Sequence, residues 1–176
     1  MDIFNFKNKT AYKYIKKQVK IKETIKNTLV DKIKTICIIV DESRFKTEDY
    51  ITKLREYLNI SIDKIKIIRL EEGDDKKIEK TTESDVFYKK AFGFFGSVKD
   101  EKLQKQINTS YDLLINYCAE EMVYAQVLVC RSKAKFKIGF ENKYSTFYNV
   151  SIHVNNNETE TFNSEMVKYL NILNKV

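Results

Sequence analysis

Short apolar runs, separated by polar stretches with helical periodicity, constrain this chain more than any other feature. Ile36-Cys-Ile-Ile-Val-Asp41, Lys64–Leu70, Tyr111–Tyr117, Ala125–Cys130, Phe136–Phe140 and Tyr148–Val154 each have the length and composition of a strand. The first is apolar without alternation, the pattern of a strand covered on both faces. After it, Ile51, Leu54 and Leu58 recur at helical spacing, with Thr47 placed as an N-cap. Glu48 and Asp49 fall in that helix's first turn, where the dipole favours acids. Strand, helix, strand in that order predicts a βαβ crossover and a parallel pair.

The later runs read differently. Phe136, Ile138 and Phe140 alternate with Lys135 and Lys137, and Tyr148, Val150, Ile152 and Val154 alternate with Asn149, Ser151 and His153. Such alternation predicts strands with one wet face, joined through 141–146 as an antiparallel edge of the sheet. Asp85–Phe92 reads as a short strand, and Ser97 with Asp100 as the start of a helix through Leu103 and Ile107. Asn157 and Glu160 resemble a capping box before a closing helix whose apolar face is Phe162, Met166, Tyr169, Leu170 and Leu173. The expected fold is a three-layer, Rossmann-like α/β sandwich with a mainly parallel sheet, an antiparallel edge and an N-terminal basic helix. At 176 residues the chain suffices for one such core. The expected division is a basic helical segment over 1–30 and a single α/β domain over 31–176.

Charge is distributed unevenly. Residues 1–30 hold eight lysines against Asp2 and Glu23, so a net +6 of the chain's +7 lies in that segment. Ile15 and Val19, then Ile21, Ile25 and Leu29, sit four apart with lysines between them, the pattern of a basic amphipathic helix over 10–29. One reading docks its apolar stripe on the domain and leaves the lysines in water. The other uses Lys13, Lys16, Lys17 and Lys20 to hold an anionic partner: RNA, the ribosome or a membrane surface. Tyr12 and Tyr14 lie among these lysines, while most of the 11 tyrosines and 11 phenylalanines fall at core positions.

The segments Asp112-Leu-Leu-Ile-Asn-Tyr117, Ser132-Lys-Ala-Lys-Phe-Lys-Ile-Gly-Phe140 and Lys168-Tyr-Leu-Asn-Ile-Leu173 resemble a bacterial family of unknown function. The lysine-rich helix and Ile38-Ile-Val-Asp-Glu-Ser43 fit the same family. The resemblance implies a cytoplasmic bacterial protein and carries no catalytic residues. The chain's N-terminus, without an apolar leader or a small-residue cleavage site, leads to the same cytoplasmic expectation.

Three cysteines, Cys37, Cys118 and Cys130, have no CxxC spacing and read as reduced, buried residues. His153 is the single histidine, so serine-hydrolase chemistry has neither its motif nor a spare base, and a Cys118–His153 pair is a nucleophile–base combination that sequence distance alone leaves open. After the first strand the chain reads Asp-Glu-Ser-Arg, without the glycines that admit a pyrophosphate, and no P-loop is present. Phe92-Gly-Phe-Phe-Gly96 reads as a tight turn or small anion nest, with its aromatics in the core or forming a lid.

Parallel sheets bind ligands beyond the carboxyl ends of their strands. That rule selects Asp41, Glu42, Ser43 and Arg44, then Glu71, Glu72, Asp74 and Asp75, then Asn116 and Tyr117, then Arg131, Ser132 and Lys133. Asp41, Glu42, Glu71 and Asp74 supply the hard oxygen ligands that Mg²⁺ requires, with Arg44, Arg131 and Lys133 to neutralise a phosphate. Three functional classes follow: a binding module docking through residues 1–30, a Mg²⁺-dependent phosphoryl or phosphodiester enzyme centred on Asp41 and Glu71, and a self-associating interaction protein.

Overall fold

The structure, a computed structural model, describes residues 3–22, 32–44, 48–72 and 86–175. In chain order its elements are α1 (Ile3–Lys22), β1 (Ile36–Asp41), α2 (Glu48–Leu58), β2 (Ile65–Glu71), β3 (Val86–Tyr88), α3 (Glu101–Asn108), β4 (Leu113–Asn116), α4 (Val123–Arg131), β5 (Phe136–Phe140), β6 (Val150–Ile152) and α5 (Thr159–Ile172). The six strands form one sheet in the order β3-β2-β1-β4-β5-β6, and every neighbouring pair is parallel. This is the doubly wound order, with a topological switch between β1 and β4.

β1 lies at the centre and is buried at every residue. Its period of two sends Ile36, Ile38 and Val40 into one apolar layer and Cys37 and Ile39 into the other. The first layer packs under α2 and α5, through Leu54, Leu58, Phe162, Met166 and Leu170. The second packs under α3, α4 and α1, through Leu103, Ile107, Val127, Leu128, Ala11 and Ile15. Each of these large aliphatic side chains contributes about 1.5–3 kcal/mol by leaving water.

Ala125–Cys130, expected as a strand, lies within α4. The run from Val123 to Val129 is buried throughout, including Gln126, and a fully buried run does not distinguish helix from strand by periodicity. The parallel pairing of β4 with β5 requires a crossover between them, and α4 provides it. The expected antiparallel edge is likewise absent: β6 pairs parallel to β5, with a short 3-10 turn at Ser145–Phe147 between them. Lys137 misled the sequence reading, because it is only 8% exposed. Its ammonium donates to the carbonyls of Val129 and Ser132, both at 2.8 Å, and so caps the C-terminus of α4 from beneath.

Two helix starts also differ from expectation. Asp100, not Ser97, caps α3, its Oδ1 accepting from the Leu103 amide at 2.8 Å. The Asn157–Glu160 capping box does not form. Glu158 instead accepts from the Asn155 amide at 2.8 Å, and Glu160 pairs with Lys53 across the groove between α5 and α2. Thr47, Ile25, Leu29, Asp85, Asp74 and Asp75 lie outside the described residues.

At the amino end of the sheet Asp112 joins three segments. Its Oδ2 accepts from the amides of Lys34 and Thr35 (both 3.1 Å) and from the Thr35 hydroxyl (3.0 Å), while Oδ1 accepts from Lys135 at 2.7 Å. Burial alone would raise this carboxyl, and the Lys135 ammonium with the Lys34 and Thr35 donors outweighs it, holding the group below the usual range. Among the described residues no helix is long and apolar enough to cross a membrane.

Candidate functional site

The carboxyl ends of β1, β2 and β3 share one rim, since Asp41 is level with Leu70 and Glu71 with Tyr88. Asp41 is 7% exposed and locally engaged: its Oδ1 accepts from the Ser43 amide (3.0 Å) and hydroxyl (2.6 Å), and Oδ2 lies 3.5 Å from Arg44 Nε. This is a side-chain turn closing the strand end. Glu42 faces Arg69, Oε2 to Nε 3.3 Å. Burial raises the Glu42 carboxyl above its ordinary range; Arg69 opposes the shift, and nearby Glu71 and Asp41 add to it. Among the described residues no group of three or more His, Cys, Asp or Glu side chains converges as a metal would require.

The carboxyl end of β4 carries a network of the protein's own polar side chains. Asn116 donates to the Tyr148 hydroxyl at 2.8 Å, and its Oδ1 accepts from the Cys118 amide at 3.1 Å. The Tyr148 hydroxyl donates to Gln126 Oε1 at 3.2 Å, and Gln126 donates to the Ala119 carbonyl at 3.4 Å. Asn116 and Gln126 are fully buried, so this is a satisfied polar plug. Gly139 is required beside it, because a Cβ there would run into the Tyr148 ring. Towards β2 and β3, the buried Tyr124 hydroxyl has no hydrogen-bond partner, and Tyr124 lines a cavity with Glu72, Phe87 and Phe92. At about 10 Å³ the space admits roughly one water.

The Cys118–His153 pairing finds no support in the geometry. Cys118 is 1% exposed, and burial, then Asp41 and Glu72, push its thiol well up against the opposing pull of Arg44. The His153 side chain is 94% exposed, and its Nδ1 lies 2.9 Å from Glu141.

Arg131 and Lys133 do not join Arg44 at the rim. With 125–130 helical rather than extended, Arg131 ends α4 and Lys133 follows it at the opposite, amino edge of the sheet, where the Lys133 amide faces the Ile107 carbonyl. Arg131 is a packing residue there. Its guanidinium lies 4.7 Å from the Tyr14 ring centroid and donates through Nε to the Gly96 carbonyl.

Those contacts seat α1. Ala11 and Ile15 are fully buried, Thr10 accepts from the Phe95 amide at 3.1 Å, and Gly96, at φ +64°, lets the Tyr14 ring lie against the backbone. The helix axis is thereby laid along the body over α4. Lys9, Lys13, Lys16, Lys17 and Lys20 are all exposed. At 100° per residue they fall on one stripe opposite Ala11 and Ile15. α1 contains seven lysines and no acid, so nothing within the helix neutralises the stripe. At one end of the stripe stand three exposed rings, Phe6 (43%), Phe94 (39%) and Phe95 (63%). Phe6 and Phe94 meet edge to face at 5.8 Å, and Lys7 Nζ lies 5.9 Å from the Phe94 ring centroid.

The sequence reading selected Lys13, Lys16, Lys17 and Lys20 but omitted Lys9 and all three phenylalanines. Phe92 is buried while Phe94 and Phe95 are not, a split invisible in Phe-Gly-Phe-Phe-Gly. Its one available signal was the glycine pair, which marks a tight turn and hence rings that need not point inward.

No curated protein and no solved structure matches the chain. A family model does match residues 7–173, which include nearly all of α1, the whole sheet and the closing helix, and the chain belongs to that family, a family of unknown function, DUF6913.

Proposed function

We propose that the chain is a binding module that docks on an anionic partner through the lysine stripe of α1. The observation carrying this reading is the division of the helix into two faces. Ala11 and Ile15 are spent on the core, which fixes the helix, and five exposed lysines remain on the opposite side with no acid in the helix. A like-charged row costs self-repulsion that an anionic partner relieves. The polar plug at the carboxyl end of β4 and the local engagement of Asp41 favour this reading over a Mg²⁺-dependent phosphoryl or phosphodiester enzyme at Asp41 and Glu71.

The test is a salt titration of binding to single-stranded RNA and to anionic vesicles. Deleting α1 would strip the core of Ala11 and Ile15, so the proper comparison is a variant with Lys9, Lys13, Lys16, Lys17 and Lys20 changed to glutamine, a comparable helix former. Loss of binding with the fold retained is the expected result. Should RNA be the target bound, any residual binding by the variant would show a slope of log affinity against log salt shallower by about 3.5, at about 0.7 per lysine removed. Unchanged binding by this variant would refute the docking role.

A further inference from the structure

We infer that the anionic partner is the surface of a lipid bilayer, which the protein meets with its lysine stripe in the headgroup layer and Phe6, Phe94 and Phe95 entering below it. This rests on the docking role proposed above and adds the identity of the partner.

Phe95 provides the first argument. It sits in the left-handed region at φ 55°, ψ 36°, a conformation that a bulky side chain rarely adopts, and is the most exposed ring of the three. Asparagine or glycine would occupy that position without strain, yet a phenyl group stands there in water. The turn that holds it is rigidly attached: its amide bonds Thr10, Gly96 packs on Tyr14, and Arg131 ties the Gly96 carbonyl to α4. An observed backbone outlier that presents an apolar group to solvent invites a functional explanation.

The second argument is the chemistry of the charge. Every cation in α1 is a lysine. Arginine's planar fork fixes an individual phosphate by paired hydrogen bonds, whereas lysine meets it as a point charge without directional pairing. A row of compact ammonium charges suits a diffuse anionic layer, where each charge counts and geometry does not. The third argument is the spent apolar face. Most interfacial helices sink their apolar stripe into the acyl boundary. In this helix that stripe belongs to the core, so an apolar foothold must come from elsewhere, and the three phenylalanines at the end of the stripe supply it.

The chain contains no tryptophan, so Phe95→Trp creates a single fluorescent reporter at the wedge. The probes are vesicles of phosphatidylcholine alone, vesicles with roughly a third phosphatidylglycerol, a proportion chosen to give a strong negative surface potential, and a single-stranded homopolymeric RNA. We expect flotation with the anionic vesicles only, a blue shift of emission on binding them, and affinity falling steeply with salt. Phe95→Asn, which suits the left-handed backbone, should weaken vesicle binding by about tenfold without loss of folding, as expected for removing one inserted aromatic ring. Binding to RNA but not to anionic vesicles would overturn the lipid partner and leave the docking role standing. Binding to neither would overturn both. Vesicle binding without a blue shift, and unaffected by Phe95→Asn, would overturn the wedge.

Discussion

Replacing Gly96 by alanine tests the seat on which the proposed surface depends. Two independent costs arise at that position. The backbone is at φ +64°, where a Cβ costs about 1–2 kcal/mol. The new methyl would also lie 2.8 and 3.1 Å from Tyr14 Cδ1 and Cγ and 3.3 Å from Val127 Cγ1. The Tyr14 ring is also held by Arg131, whose guanidinium lies 4.7 Å from its centroid, and overpacking of this kind costs about 1–3 kcal/mol. The expected destabilisation is about 2–5 kcal/mol, or roughly 4–20 °C in melting temperature for a chain of this size. Gly93→Ala is the matched control. Its Cβ would meet Ser97 Oγ and Lys99 Cε, both on side chains that can turn aside, at an ordinary φ of −106°, so its cost should stay below about 1 kcal/mol. Urea unfolding of both variants, read as a shift of midpoint at constant slope, gives the comparison. Amide exchange in α1 should accelerate in Gly96→Ala alone. If Gly96→Ala costs no more than Gly93→Ala, the turn is not a tight seat and the fixed geometry of lysines and phenylalanines is wrong.

Other perturbations test the surrounding framework. Because the native Asp112 carboxyl is depressed, its contribution is complete above the unfolded carboxylate value near 4 and lost as pH falls through the native one. Asp112→Ala should therefore cost about 2–4 kcal/mol at neutral pH, with the gap to wild type closing in acid, as thermal melts across pH would show. Lys137→Met removes the donor shared by the Val129 and Ser132 carbonyls and should cost about 1–3 kcal/mol by denaturant unfolding. Phe95→Asn should leave stability unchanged or raise it by up to about 1 kcal/mol, since it relieves left-handed strain. A chromogenic thiol reagent should modify Cys130 alone in the native protein. Cys37 is fully buried with its thiol pushed up to about 12, and Cys118 is buried likewise. Labelling of all three without unfolding would contradict the core as described.

Most of the fold was legible because central parallel strands announce themselves. The run from Ile36 to Asp41 is apolar at every residue before its final aspartate, and it is buried at every residue. The misread elements share a physical cause. α4 is buried all round, so it lost the amphipathic period that distinguishes a helix, and Gln126, its polar interior residue, is consumed by the plug. In β5 the lysine that signalled a wet face is satisfied by carbonyls that only the folded α4 presents. Partners distant in sequence decided both cases, and no local pattern carries that information. The proposed surface was half legible for the same reason. The lysine stripe follows from helical geometry alone, whereas Phe94 and Phe95 join it only because a turn some eighty residues later is folded onto Thr10.

The seating of α1 also has a consequence for synthesis. This helix precedes the rest of the described fold, yet the elements it packs against, the 94–96 turn, α4 and the 145–147 turn, all come later in the chain. At roughly 5–20 residues per second, the ribosome needs on the order of 5–20 s to deliver them. Until then the nascent chain carries a strongly cationic segment whose apolar side has no cover. Mutual repulsion among the α1 lysines opposes association of neighbouring nascent copies until α4 arrives.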